Sequence, residues 1–175
     1  MSNIKEFLLC PTNLHSSRNN KLNKLFLGNW CDRNQINQKI CNYPWDNKKT
    51  LLKDYKYIFK IEKIIFKRLC KYLNNYHGVK EGNSYWKIIL GPWLAIFTQT
   101  IFERWKNFQN AKKYSFKYVI NSNTNYKEFV PINFENFYKQ STTDIWNQYI
   151  YEDIFKFYLD KKFFLKKKIN KKDLD

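Results

Sequence analysis

Two short apolar runs near the start of the chain decide its fold. Residues 5–11 read Lys-Glu-Phe-Leu-Leu-Cys-Pro, and residues 24–28 read Lys-Leu-Phe-Leu-Gly. Each run is too short for a helix of ordinary length, and each ends at a residue that breaks regular structure. Continuous apolar runs of this kind are typical of strands inside a parallel sheet, which are covered on both faces. We therefore predict buried strands over 5–10 and 24–27.

The whole chain has the composition of a folded domain. It contains 175 residues, 43% of them hydrophobic and 19% aromatic, and carries a net charge of +17. That much bulky side chain is enough for a buried core and excludes a disordered polypeptide. Four glycines and four prolines exclude a collagen-like architecture. The four cysteines form no CxxC pair, so we expect no metal site, and no other cofactor is expected. Lys5 and Glu6 interrupt the first apolar run, which does not resemble a secretory signal, so we expect reduced thiols in a cytoplasmic protein.

A long amphipathic helix is predicted from an N-cap at Asp46 to about Asn75, with Asn75 or Gly78 as the left-handed residue that ends it. Steps of three and four place a row of lysines on one side, namely Lys53, Lys56, Lys60, Lys63, Lys67 and Lys71. The opposite side carries an apolar stripe, namely Leu52, Tyr55, Phe59, Phe66, Leu69 and Leu73. This pattern predicts that the lysines face water and that the stripe packs on the core.

A second long helix is predicted from a cap at Ser84 to about Ala111, with a bend at Pro92. From residue 85 to residue 102 only Lys87 is charged, which raises the alternative of a membrane span. The segment is barely long enough for a span, and a Gly-Pro break and several polar side chains interrupt it. A helix buried in a protein core is therefore the better interpretation.

The last third of the chain predicts a strand over 116–120 and a helix that starts within residues 141–143, with Ser141 and Asp144 as a capping box. Residues 130–136 are expected to be irregular. The order strand, strand, two helices, strand, helix is typical of an open sheet. The predicted fold class is α/β, a partial Rossmann-like lobe in which a small parallel sheet is flanked by long helices.

The predicted lobe covers residues 1–160, and residues 161–175 form a Lys-rich tail. Ligands of open α/β sheets bind outside the carboxyl ends of the strands. Those ends are expected at residues 11–12 and 28–31. The sequence contains no glycine-rich phosphate loop, DxD-like metal pair, GxSxG elbow or HExxH motif, so it carries no self-sufficient catalytic constellation.

A series of short motifs is distributed along the chain, at residues 27–31, 43–46, 54–55, 73–74, 77–79, 85–94, 103–105 and 144–147. The longest reads Tyr-Trp-Lys-Ile-Ile-Leu-Gly-Pro-Trp-Leu, with two tryptophans around a Gly-Pro pair. In this order the motifs resemble the N-terminal part of a family of transferases from bacterial surface-polysaccharide and lipopolysaccharide gene clusters. The resemblance extends over residues 10–160.

This resemblance implies a glycosyltransferase-like protein whose donor-binding part lies mostly beyond the matched region. We therefore expect an acceptor-side lobe that is a truncated product, a fragment or one half of a split gene, and that is inactive alone. The expected partners are a nucleotide-sugar or saccharide acceptor and a separate C-terminal lobe. The chain departs from the family pattern at Pro44, Lys87 and Glu103, where the family has His, Arg and Asp.

The candidate catalytic residues are His77 and Asp46, as acid or base groups, although a helix-end charge and an N-cap are the simpler explanations. The candidate ligand-binding residues are Trp30, Trp45, Tyr85, Trp86, Glu103 and Arg104. The indoles would stack on sugar rings or belong to the core. Arg104 would hold a phosphate or a sugar-linked carboxylate, or pair with a carboxylate of the chain.

Two other classes of function remain open. The first is a basic membrane-surface or partner-binding module. In it the lysines of residues 161–175 would bind an anionic membrane surface, which would make the protein peripheral at the inner membrane. The net charge would also suit nucleic acid. Only four arginines accompany it, however, and no known nucleic-acid-binding motif is present. Nucleic acid is therefore the least favoured partner.

Overall fold

A parallel sheet forms the base of the fold in the computed structural model, which describes residues 7–15, 23–31, 39–121 and 129–166. Its strands are β1 (Phe7–Cys10), β2 (Asn23–Phe26), β3 (Lys39–Ile40), β4 (Tyr118–Asn121) and β5 (Phe164–Lys166). They lie in the order β3-β2-β1-β4-β5, and all neighbouring pairs are parallel. The predicted α/β class with a small parallel sheet is confirmed.

Helices make up most of the remaining structure. They are α1 (Lys48–His77), α2 (Asn83–Ala111), α3 (Phe134–Ser141) and α4 (Asp144–Tyr158). The chain divides into two compact units. Residues 1–43 and 104–175 contain the sheet, and residues 44–103 contain α1 and most of α2. None of the helices in the described part of the chain combines the length and the apolar content that a bilayer crossing requires.

The central strands are the most deeply buried part of the sheet. Leu8, Leu9, Leu25 and Phe26 have no exposed surface, and Leu9 pairs with Leu25 on one side and with Val119 on the other. Phe108, Tyr151 and Phe155 belong to the same buried cluster. Burying a large apolar side chain contributes about 1.5–3 kcal/mol, so the two apolar runs are the core of this unit.

Strand positions differ from the sequence prediction at the ends. Strand β1 is described from Phe7, and residues 5 and 6 of the predicted strand lie outside the described residues. Strands β2 and β4 are displaced by one or two residues. Strands β3 and β5 were not predicted, because two- and three-residue edge strands that contain lysine show no periodicity. Strand β5 lies in the segment predicted as a Lys-rich tail, where Phe164 pairs with Val119. Residues 167–175 of that segment lie outside the described residues.

Both ends of α1 are capped. The side chain of Asn47 accepts hydrogen bonds from the backbone N–H groups of Lys49 and Thr50, at 2.9 and 3.1 Å. The predicted cap, Asp46, is therefore one residue too early, because the Asn47 carboxamide occupies that position. Gly78 has a φ of 64°, and its backbone N–H donates to the carbonyls of the last turn. The prediction of Gly78 as the left-handed residue is confirmed.

The predicted core stripe of α1 is wrong in its first half. Leu52, Tyr55 and Phe59 are 50%, 60% and 47% exposed, whereas Ile58 is buried. The reason is that α1 carries two apolar lines, and the one that contains Ile58 faces the interior. Periodicity identifies apolar lines but cannot decide which of two is covered. The lysine row is exposed as predicted.

The starts of the other helices also require correction. Helix α2 begins at Asn83, one residue before the predicted Ser84, and continues through Pro92 to Ala111. Helix α4 is capped by Thr143, whose side chain accepts from the Trp146 backbone N–H at 3.3 Å. This cap lies within the predicted start at residues 141–143, but the predicted box of Ser141 and Asp144 is wrong. Helix α3 replaces part of the segment predicted as irregular, since the Asn133 side chain caps it.

Candidate functional site

The strand order reverses at a point on the carboxyl edge of the sheet, which we call the switch point. Strands β2 and β3 lie on one side of β1, and β4 and β5 lie on the other. In open parallel sheets the crevice outside the carboxyl ends at such a point is the usual ligand site. Short 3-10 turns follow β1 and β2 there, at Asn13–His15 and Asn29–Cys31. The sequence prediction placed ligands at the same strand ends.

A chain of buried side chains lies behind this edge. Thr12, directly after β1, donates from Oγ1 to Oε1 of Gln148 at 3.0 Å, and Gln148 donates from Nε2 to Oε1 of Glu152 at 3.0 Å. These three residues are at most 1% exposed. Because buried polar groups must be hydrogen-bonded, the chain fixes α4 against the end of β1. Thr12 belongs to the strand end predicted at residues 11–12, whereas Gln148 and Glu152 were not predicted.

Trp30 is a large side chain at this edge, with 41% of its surface exposed. Its Nε1–H donates to the Pro11 carbonyl at 3.3 Å, and its ring meets the edge of Tyr43 at a centroid distance of 6.2 Å and an angle of 86°. Gly28 lies against the indole, and a Cβ there would overlap the ring carbons. The indole is therefore held in one orientation.

The thiol of Cys31 shares the same acceptor. Its Sγ donates to the Pro11 carbonyl at 3.1 Å, and the residue is fully buried. The pKa of this thiol is raised to about 12, chiefly because the group is buried. Backbone hydrogen bonds from Gly28 and Leu27 oppose the rise, and the nearby Cys10 and Asp144 add small contributions to it. The group stays protonated at neutral pH and acts as a hydrogen-bond donor, because a nucleophilic cysteine needs the thiolate form.

Comparison with known families gives a match over nearly the whole chain. The model of the LIC12162 family of transferases matches residues 7–175. The chain belongs to this transferase family. No curated protein and no solved structure matches the chain significantly. The matched residues include the five strands, the switch point and Trp30. Membership in a transferase family gives group transfer as the general class of reaction.

Arg104 of this transferase is joined to the start of α4. Its Nε–H donates to Oδ1 of Asn147 at 2.9 Å. The Nδ2 group of Asn147 in turn donates to the carbonyls of Ser141 and Thr143, at 3.0 and 2.7 Å. Arg104 therefore tightens the connection between α3 and α4, which is a structural function. Its predicted contact with an anionic ligand stays a prediction.

Three predicted site residues of the transferase meet at the turn between α1 and α2. The ring of His77 stacks on Trp86 at 6.2 Å and 26°, and Tyr85 meets Trp86 edge-on at 5.1 Å. Trp86 Nε1 donates to Oδ1 of Asn74 at 2.8 Å, and Asn74 also bonds the Glu81 backbone in both directions. These contacts hold the turn together.

The remaining candidates lie at the other end of α1. Trp45 donates from Nε1 to Oδ2 of the buried Asp54 at 3.0 Å and stacks on Phe102. Asp46 is exposed beside it. His77 and Asp46 are about 45 Å apart along the helix, given the rise of about 1.5 Å per residue. The structure does not bring the two candidate catalytic residues together.

Glu103 is half-buried where the two units join in sequence. In the described ranges, no group of three or more His, Cys, Asp and Glu side chains is arranged to hold a metal ion. The candidate residues named from the sequence therefore do not form a complete set of acid and base groups for a transfer reaction. What the carboxyl edge offers is a fixed aromatic surface on a rigid sheet.

Proposed function

We propose that this chain is the acceptor-side lobe of a glycosyltransferase-like enzyme that works in surface-saccharide biosynthesis. The observation that carries the proposal is the half-exposed, immobilised indole of Trp30 at the switch point of the sheet. The C–H groups on the apolar face of a sugar ring are attracted to the negative face of an aromatic ring. A preoriented indole binds such a face with little loss of entropy.

The donor nucleotide-sugar would bind a second lobe, and transfer would occur between the two lobes. The absence of a glycine-rich phosphate loop from the sequence favours this division of labour, which otherwise is an analogy with two-lobed transferases. The segment 161–175 would attach the enzyme peripherally to the inner membrane. Lys161 and Lys162, the first lysines of that segment, are exposed.

Saccharide binding at Trp30 can be tested directly. Saturation-transfer NMR with glucose, N-acetylglucosamine and glucuronic acid should show transfer to at least one sugar. Trp30→Ala should abolish that signal, whereas Trp105→Ala, which removes an indole bonded to Tyr158, should retain it. Loss of binding in both variants, or in neither, would contradict an acceptor site at Trp30.

Gly28 provides a second test of the same site. Gly28→Ala should displace the indole and remove sugar binding, and overpacking should destabilise the fold by about 1–3 kcal/mol. In Gly28→Ala/Trp30→Ala the ring is gone, so stability should recover while binding stays lost. The 175-residue chain should also show no glycosyl transfer alone with nucleotide-sugars. Turnover by the chain alone would contradict the assignment of the donor to a second lobe.

A further inference from the structure

An open pocket of about 400 Å3 lies at the turn between α1 and α2. Its volume lies at the lower end of the range for small-molecule sites, roughly 300–1,000 Å3. Three of the side chains that line it are the ammonium groups of Lys67, Lys71 and Lys80. None of the residues that line it is acidic. The site was not predicted from the sequence, because the row that contains Lys67 and Lys71 was interpreted as a face exposed to water.

The turn holds these groups in a fixed arrangement. Asn74 lines the pocket, and its side chain bonds both the backbone of Glu81 and the indole of Trp86. The backbone N–H of Val79 donates to the carbonyl of Asn74 at 3.0 Å. The segment that carries Lys80 is thus tied to the last turns of α1. A site formed before the ligand arrives loses less free energy on binding.

The charge on α1 adds to that of the pocket. Lys60 and Lys63 precede Lys67 on the same exposed row. The acidic residues of α1 lie off this row, and Asp54 is buried against Trp45. A row of one sign that leads into a concave site concentrates the electrostatic potential there. The pocket therefore favours an anion with more than one negative charge over a single carboxylate.

We propose that this pocket binds a phosphate or diphosphate group through Lys67, Lys71 and Lys80. Lysine is a common phosphate ligand because its ammonium group is a compact charge with three donors. The carboxamides of Asn75 and Asn83, which also line the pocket, supply neutral donors. This inference does not depend on the saccharide site, since the residues that line the pocket all lie between 67 and 83.

The experiment compares two triple variants with the same loss of charge on the same chain. Lys67→Gln/Lys71→Gln/Lys80→Gln removes the pocket lysines, and Lys49→Gln/Lys53→Gln/Lys56→Gln removes exposed lysines at the start of α1. Pyrophosphate is titrated calorimetrically, with the Trp86 indole N–H followed by NMR as a reporter of the turn. Each pocket lysine removed should weaken binding about tenfold, the ratio for one charge-assisted hydrogen bond, and the control should bind nearly as the wild type does.

A second arm identifies the source of the phosphate. Vesicles of phosphatidylcholine with and without phosphatidylglycerol are sedimented with each variant. Binding of phosphatidylglycerol vesicles that only the pocket variant loses supports a lipid headgroup, and binding of pyrophosphate alone supports a soluble phosphate. Absence of both, or equal losses in the two triple variants, would overturn the proposal. If the pocket variant loses the native Trp86 signal, Lys67→Gln and Lys71→Gln singly give the same comparison.

Discussion

Cys31 shows how one buried side chain makes the carboxyl edge of the sheet sensitive to pH. In the folded chain its pKa is raised from 9.0 to about 12 by burial, while in the unfolded chain the thiol ionises near its ordinary value. Above about pH 9 the unfolded state therefore binds fewer protons than the native state does, and stability falls as the pH rises. Below the pKa that Cys31 has in the unfolded chain, the thiol is protonated in both states, so the free energy of unfolding is not reduced by this group.

Cys31→Ser tests this prediction, because serine keeps a donor for the Pro11 carbonyl but does not ionise. Between about pH 9 and pH 11 the wild type should lose up to about 1.4 kcal/mol of unfolding free energy per pH unit more than the variant loses. Urea denaturation at several pH values measures both slopes. Lysine and tyrosine titrate equally in the two proteins, so parallel slopes would show that the buried thiol does not contribute.

The turn between α1 and α2 provides the prediction at the level of elements. Gly78 has a φ of 64°, and a Cβ built there meets nothing within 4 Å. Gly78→Ala should therefore destabilise the fold through the backbone alone, by about 1–2 kcal/mol, because the left-handed region is costly for a residue with a Cβ. Thermal or urea unfolding of the variant gives this difference.

Gly82→Ala is the matched control, four residues further along the same connection. A Cβ at Gly82 also meets nothing within 4 Å, and its φ is not positive. This variant should have unchanged or slightly raised stability, since alanine restricts the unfolded chain more than glycine does. Equal losses at the two glycines would mean that the αL cap is not what ends α1.

The elements that could be predicted from sequence are those whose signals are local. The apolar runs around Leu8 and Leu25 predicted parallel strands, and Gly78 predicted the end of α1, because burial on two faces and a left-handed cap each restrict residue types. The covered side of α1 could not be predicted. Two apolar lines satisfy the same period, and only the tertiary structure determines that Ile58 is buried and Tyr55 exposed.

In the candidate site, too, the residues with a local signal could be predicted and those held by long-range contacts could not. Trp30 was predicted, because a residue directly after a buried strand lies at the ligand edge of a parallel sheet. The bond between Thr12 and Gln148 joins residues 136 positions apart, and no periodic pattern reports a contact of that separation. The spacing of Gln148 and Glu152 on one face of a helix was the one local signal, and it does not indicate burial.

Positive charge is the property of the whole molecule with a direct effect on its stability. The net charge is +17, with 32 basic and 15 acidic residues. Self-repulsion of this kind destabilises the compact state, and like charges three or four residues apart on a helix destabilise it locally. The lysine row of α1 contains several such pairs, including Lys56 with Lys60 and Lys60 with Lys63.

We therefore expect the melting temperature of the wild type to rise when NaCl is raised from about 20 to about 300 mM, because the screening length shortens. Lys56→Gln/Lys60→Gln/Lys63→Gln removes four like-charge contacts worth about 0.2–0.5 kcal/mol each, and glutamine has nearly the helix propensity of lysine. At low salt this variant should melt about 2–5 °C above the wild type, and the gain should shrink at high salt.

Lys139→Gln is the control, because it breaks an exposed ion pair with Glu135 and relieves no repulsion along α1. It should melt slightly below the wild type at low salt. A triple variant that melts at or below the wild type under both conditions would show that repulsion along α1 does not limit the stability of the fold.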